Sequence, residues 1–361
     1  MNLLSKVGFY GISAALGLLA LLATGTALRA QSISMSYVTV GNPGNAPDPT
    51  RDQDSTSGYG SVAYTYDIGE YDVTDSQYCT FLNDVDSTGS NTLALYSPQG
   101  DAEYGITFNS GVANGSKYSV ISGYASMPVV DVTYWSALRF VNWMNNGEGN
   151  ASTENGAYTL QGDSPTPSNS ASLLANPQQN RGATVWLPSE NEWYKAAYYD
   201  PNLNGTGGYY PYATQSHMTP GNDYLTPSVA NEANYYTGVY SVTQNSSDNS
   251  SQNYLTPVGS FTNSMSYYGT YDQSGDVWNW TSTVVSSLYP VLRGGEWSGN
   301  GTPYDQSSFF RDHYDSPTVE FDSFGFRVAS VPEPNSIMLM VAGVAGLGLM
   351  RGRPRRRGRA P

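Results

Sequence analysis

The chain has 361 residues, with 16 Lys+Arg against 30 Asp+Glu and a single cysteine, Cys79. Eight of the cations lie in the two ends, so residues 31–330 hold eight cations against 29 acids, a net charge of about −21. Such a surface repels nucleic acid and anionic membranes and favours cations, and one cysteine excludes any intramolecular disulfide.

Met1–Ala30 carries Lys6, then an apolar run from Val7 to Ala23, then small residues. This is the layout of a secretory signal peptide, with cleavage expected after Ala27 or Ala30. Three helices are predicted downstream. The first follows a Thr-x-x-Gln capping box at Thr74–Gln77, with Tyr78, Phe81, Leu82 and Val85 on one face. The second is capped by Thr133 and carries the stripe Ala137, Phe140, Val141 and Met144, with Gly147 just past its end. Ser189 and Glu192 form a second capping box for the third, which turns Trp193, Ala196 and Ala197 inward. Strands are predicted at Val62–Asp67, Ala183–Leu187, Thr256–Phe261 and Phe324–Ala329. Ser55–Gly60, Asp163–Pro177 and Gln244–Asn253 read as turn-rich loops.

At the far end, Val331-Pro332-Glu333-Pro334 precedes the apolar run Ile337–Met350 and six arginines between Arg351 and Arg359. That run is short for a membrane span, and the arginines hold the end on the cytoplasmic side, so the domain before it faces outward. The arrangement resembles the PEP-CTERM sorting signal of Gram-negative bacteria. The resemblance implies recognition by an exosortase, transient membrane anchorage through residues 331–361, and a destination at the cell surface or extracellular matrix.

Landmarks recur in a set order through the body: GEYDVTDSQYCTFLND (69–84), MPVVDVTYWSALRFVNWMN (127–145), WLPSENEWYKAA (186–197), TPVGSF (256–261), YDQSGDVWNWTS (271–282), LRGGEW (292–297) and FGFRVA (324–329). Together they resemble the formylglycine-generating-enzyme (sulfatase-modifying factor) family over about residues 59–330, within one expected domain at 31–330. The resemblance implies an α+β, loop-rich, C-type-lectin-like fold with short antiparallel strands. It also implies copper-dependent oxidation of a sulfatase cysteine, for which a thiolate pair after the Gly-Gly turn holds Cu(I). The corresponding segment Ser298–Phe310 has no cysteine, and Cys79 lies in the first helix without a partner, so neither copper nor oxidase activity is expected. Only His217 and His313 exist, too few for the three-histidine iron of another branch. No nucleophile elbow or phosphate-binding glycine loop is present, and neither haem nor nucleotide is expected.

Asp272-Gln273-Ser274-Gly275-Asp276-Val277-Trp278-Asn279 packs oxygen donors around a glycine, as a hard cation prefers. The resemblance implies a structural Ca²⁺ here, held by Asp272, the Ser274 carbonyl and Asp276, with Asn279 in place of the usual glutamate. A second site would fall near Asn234, Tyr235 and Asp248. Glu296, Trp297, Tyr304, Arg311 and Trp278 are the candidate ligand-binding residues. Arg311 either grips a ligand carboxylate or, like Arg293 and Arg327, pairs with an acid such as Glu296 or Asp312. Three readings follow. The first is an exported binding module for a glycan, peptide or surface protein. The second is an enzyme that uses metal, oxygen or carboxylates in the same cleft. The third is a structural component of an exopolysaccharide matrix.

Overall fold

The computed structural model describes residues 32–97, 105–160, 178–285, 289–298 and 302–332. The leader Met1–Ala30, the loop Asp163–Pro177 and nearly all of the 331–361 tail lie outside the described residues.

The three predicted helices form, and the capping chemistry sets their starts. Helix α1 (Asp75–Val85) begins at Thr74, whose side chain accepts from Gln77 N while Gln77 returns a bond to the Thr74 N–H. Helix α2 (Tyr134–Asn145) is capped by Thr133 and is buried on nearly every side, as a helix at the centre of a core must be. Helix α3 (Glu190–Tyr198) closes a second reciprocal box between Ser189 and Glu192. The stripes of α1 and α2 meet on Phe326: Phe140 packs edge-on against Phe81 at 5.3 Å and against Phe326 at 5.2 Å. Each such ring, fully buried, contributes about 1.5–3 kcal/mol.

The strands are short. β1 (Tyr37–Val40), β2 (Tyr66–Gly69), β5 (Val185–Trp186) and β11 (Ala329–Ser330) make an antiparallel sheet in the order β1-β2-β11-β5. A second sheet runs β10 (Phe324–Phe326), β8 (Trp278–Val285), β9 (Tyr289–Arg293). In it β10 lies parallel to β8, and β8–β9 is antiparallel with an irregularity between Trp280 and Val284. Two ribbons, β3 (Ile106–Phe108) with β4 (Tyr118–Val120) and β6 (Tyr199–Asp200) with β7 (Gly208–Tyr209), complete the strands among the described residues.

The predicted strand at Phe324–Ala329 is two strands in two different sheets. The switch falls at Arg327, whose guanidinium reaches Asn279 Oδ1 (2.8 Å), Asp72 Oδ1 (3.1 Å) and the Gly69 and Tyr271 carbonyls. Thr256–Phe261 forms no strand. Pro257 has no N–H to give a ladder, and Thr256 N and Oγ1 are taken by the Asp276 carboxylate. The predicted strand at 62–67 is displaced toward β2.

Candidate functional site

β9 delivers the chain to Gly294 and Gly295, at φ +110° and +80°, a backbone region closed to most side chains. The turn aims Glu296 and Trp297 into a cleft of about 590 Å³. Trp278, at the start of β8, lines the same cleft. The rest of the lining comes from Ser298, from Tyr236, Tyr240 and Asp248 of one loop, from Asp312, and from the Phe321–Phe324 segment that leads into β10.

Trp297 is fixed on three sides. Its ring stacks on Tyr254 at 5.2 Å and 8°, its Nε1 donates to the Asp322 carbonyl (3.2 Å), and its N–H donates to the Asp276 carbonyl (3.0 Å). Tyr254 in turn packs on Tyr240 at 4.4 Å, and Tyr240 on Tyr236 at 4.8 Å, so one wall is a continuous run of rings. Burial raises the Glu296 carboxyl above its usual range, with further upward pressure from Asp322 and Asp305, while bonds from Ser298 and Ser323 oppose it. Burial likewise raises Asp322, helped by Asp248. Asp315 is pushed up to about 6 by burial and by Asp312 and Glu296.

The cleft thus brings together three of the five predicted binding residues: Trp278, Glu296 and Trp297. Tyr304 is exposed at 65% and does not line it. Arg311 is buried elsewhere, and its partners are not Glu296 or Asp312. Its Nε and Nη2 grip both oxygens of Glu190 (2.8 and 2.6 Å), and Nη1 reaches Asp54 (3.0 Å). Arg293 shares Glu190 (2.9 Å) and adds Asp52 (2.6 Å), and both guanidinium groups lie about 5 Å from the Tyr59 ring centre. The two arginines therefore clamp the 52–59 segment to α3 and to the loop after β9. Tyr236, Tyr240, Phe321 and Asp322 were not predicted as lining. Their one sequence signal is local, the tyrosine-rich run NYYTGVY (234–240) and the aromatic-acid pairs just before FGFRVA.

The turn expected to hold calcium fits in part. Asp272 and Asp276 line a small polar space of about 10 Å³ with Glu232, Asn234 and Ser274, near the lower limit for one water or ion. Asp72 has Arg327, but no cation pairs with Asp272 or Asp276 among the described residues. Burial first, then Asp72, pushes Asp272 up to about 7; burial and Asp272 drive Asp276 well above the carboxylate range. Two buried acids without an ion pair suit a divalent cation, which would displace their protons. Against this, Asp276 already accepts from Asn234 Nδ2 (2.7 Å) and from Thr256 N (3.2 Å) and Oγ1 (3.1 Å). Asn279 does not fit as a ligand: its Oδ1 accepts from Trp193 Nε1 (2.9 Å) and Arg327 Nε (2.8 Å). Among the described residues no three His, Cys, Asp or Glu side chains converge for a metal. Cys79 is buried in α1 and burial pushes its thiol up to about 11, away from any thiolate chemistry.

Among curated proteins none matches this chain. Of solved structures, the chain is similar to Treponema denticola variable protein 1 at 18% identity and a TM-score of 0.52, over 84% of this chain and 97% of the other. It is also similar to PvdO from Pseudomonas aeruginosa, at 18% identity over 82% of this chain and 92% of the other, with a TM-score of 0.44. CarF matches at 16% identity over 83% and 99%, with the same TM-score. The fold is the formylglycine-generating-enzyme type, related to C-type lectins. The model of the sulfatase-modifying factor enzyme 1-like domain matches residues 37–331, and the chain belongs to that family.

Proposed function

We propose that this chain is a binding module, exported by its leader and sorted to the cell surface or matrix by its C-terminal signal through an exosortase, which captures ligand in the 590 Å³ cleft. The observation that carries the reading is the lining itself. It is aromatic and acidic, it has the size of a small-ligand site, and it contains neither cysteine nor histidine. The copper-thiolate oxidation of active relatives needs a sulfur pair that this sequence does not contain.

Arrays of glycans, basic and acidic peptides and surface proteins, probed with the full chain, test the reading. Binding that disappears in Trp297→Ala, together with no oxygen uptake on a cysteine peptide, is the expected result. Oxygen-dependent conversion of that cysteine sinks it.

A second reading has one observation in its favour. Glu296 is a half-buried carboxyl held above its usual range beside Asp322, which is the environment of a general acid. Turnover of any arrayed ligand, abolished in Glu296→Gln, would favour the enzyme.

Calcium bound by Asp272, Asp276 and the Ser274 carbonyl is a further proposal, as a brace for the loop beneath Trp297. Its support is the pair of buried acids at that turn, both raised by burial and by neighbouring acids, with no ion pair to either among the described residues. A chelator that leaves the melting temperature unchanged would remove it.

A further inference from the structure

The three arginines of the C-terminal motifs all have buried acid partners, whereas the acids of the cleft do not. Glu296, Asp312 and Asp322 are half-buried, line one cavity, and form no ion pair with Lys, Arg or His among the described residues. Among the described residues no cation lines the cleft either. Three carboxylates in a partly desolvated space repel one another, and a counter-charge entering that space would relieve them all. The same cavity is lined by the ring run of Tyr236, Tyr240 and Trp297; aromatic faces are negative in the quadrupole sense and attract cations within about 6 Å. A cavity lined by acids and aromatic rings is a poor host for anions.

We infer that the ligand of this cleft carries an organic cation, an ammonium or guanidinium group, seated between the Tyr236–Tyr240–Trp297 wall and Glu296, Asp312 and Asp322. The inference rests on the cleft being the recognition site and specifies the chemistry it selects. The size of the space suits one small molecule or one extended side chain, and the cation supplies the charge that the protein leaves out.

Calorimetric titration of the full chain with choline, with choline's neutral carbon isostere 3,3-dimethylbutan-1-ol, with arginine methyl ester and with a neutral oligosaccharide tests it. Choline and the arginine ester are expected to bind, more weakly as salt is raised, with the isostere about tenfold weaker or worse. Glu296→Gln and Asp322→Asn, each folded by circular dichroism, are expected to cost the cations about tenfold and leave the isostere unchanged. Preference for choline over the arginine ester assigns a small amine as source, and the reverse order assigns a basic side chain. Equal binding of choline and isostere, cation affinity unchanged in both variants, or no cation binding at millimolar concentration overturns the inference. An oligosaccharide that binds the cleft, lost in Trp297→Ala, overturns it while leaving the recognition site standing. An oligosaccharide still bound by Trp297→Ala removes that reading as well.

Discussion

Glu190 stands between Arg293 and Arg311 with almost no solvent contact, and Asp52 adds a second acid to the same buried cluster. Burial holds the Asp52 carboxyl up at about 6 even with Arg293 against it. Removing one member leaves charges stranded, which costs more than the pair itself contributes. Arg293→Met is therefore expected to lower unfolding stability by about 3–5 kcal/mol in urea titration, with Asp52→Asn on that background restoring part of it. The aspartates under Trp297 give a second prediction. Asp272 has its folded pKa raised to about 7, above its unfolded value. Between those values the native state holds a proton that the unfolded chain releases, so stability is present at low pH and lost as pH rises toward 7. In chelator, the melting temperature is expected to rise by a few degrees on going from pH 8 to pH 5. Asp272→Asn is expected to flatten that slope, as would bound calcium.

At the scale of elements, the helices were legible because each carries its own start signal and a stripe that closes on itself within a dozen residues. Thr74→Ala is expected to cost about 1 kcal/mol, measured as a shift in denaturation midpoint. The strands were legible only as apolar stretches, since what ends them is a distant partner. Arg327 splits one predicted strand because Asn279 and Asp72 wait for it, and no local pattern announces either contact. The turns show a similar division. Gly275 is readable as a turn residue, yet its need for glycine comes from Asn234, whose carbonyl oxygen lies 2.2 Å from where a Cβ would stand, at φ +90°. Gly275→Ala is expected to destabilise by several kcal/mol, on the order of 3 or more, and to weaken cleft binding, because it displaces Asn234 from Asp276 and loosens the support of Trp297.

For the whole molecule, the order of motifs was enough to place the fold, and it put Trp278, Glu296 and Trp297 in one cleft. It could not place Tyr236, Tyr240 or Asp322, which reach the cleft from segments far apart in sequence. It left Arg311 open between a ligand and an acid, and named nearby acids, whereas the arginine's acids Asp54 and Glu190 lie more than a hundred residues upstream. One more consequence concerns β11. This two-residue strand is the inner neighbour of both β2 and β5, and Val331 N then bonds the Thr184 carbonyl. Ending the chain before Ala329 is expected to abolish cooperative unfolding, whereas ending it after Pro332 leaves the transition intact. If residues 333–361 fasten the protein to a surface, the leash is knotted to the centre of the main sheet. Tension on an anchored molecule would be felt first at β11, by the strands that hold the sheet together, and the cleft would open or distort only after that grip gave way.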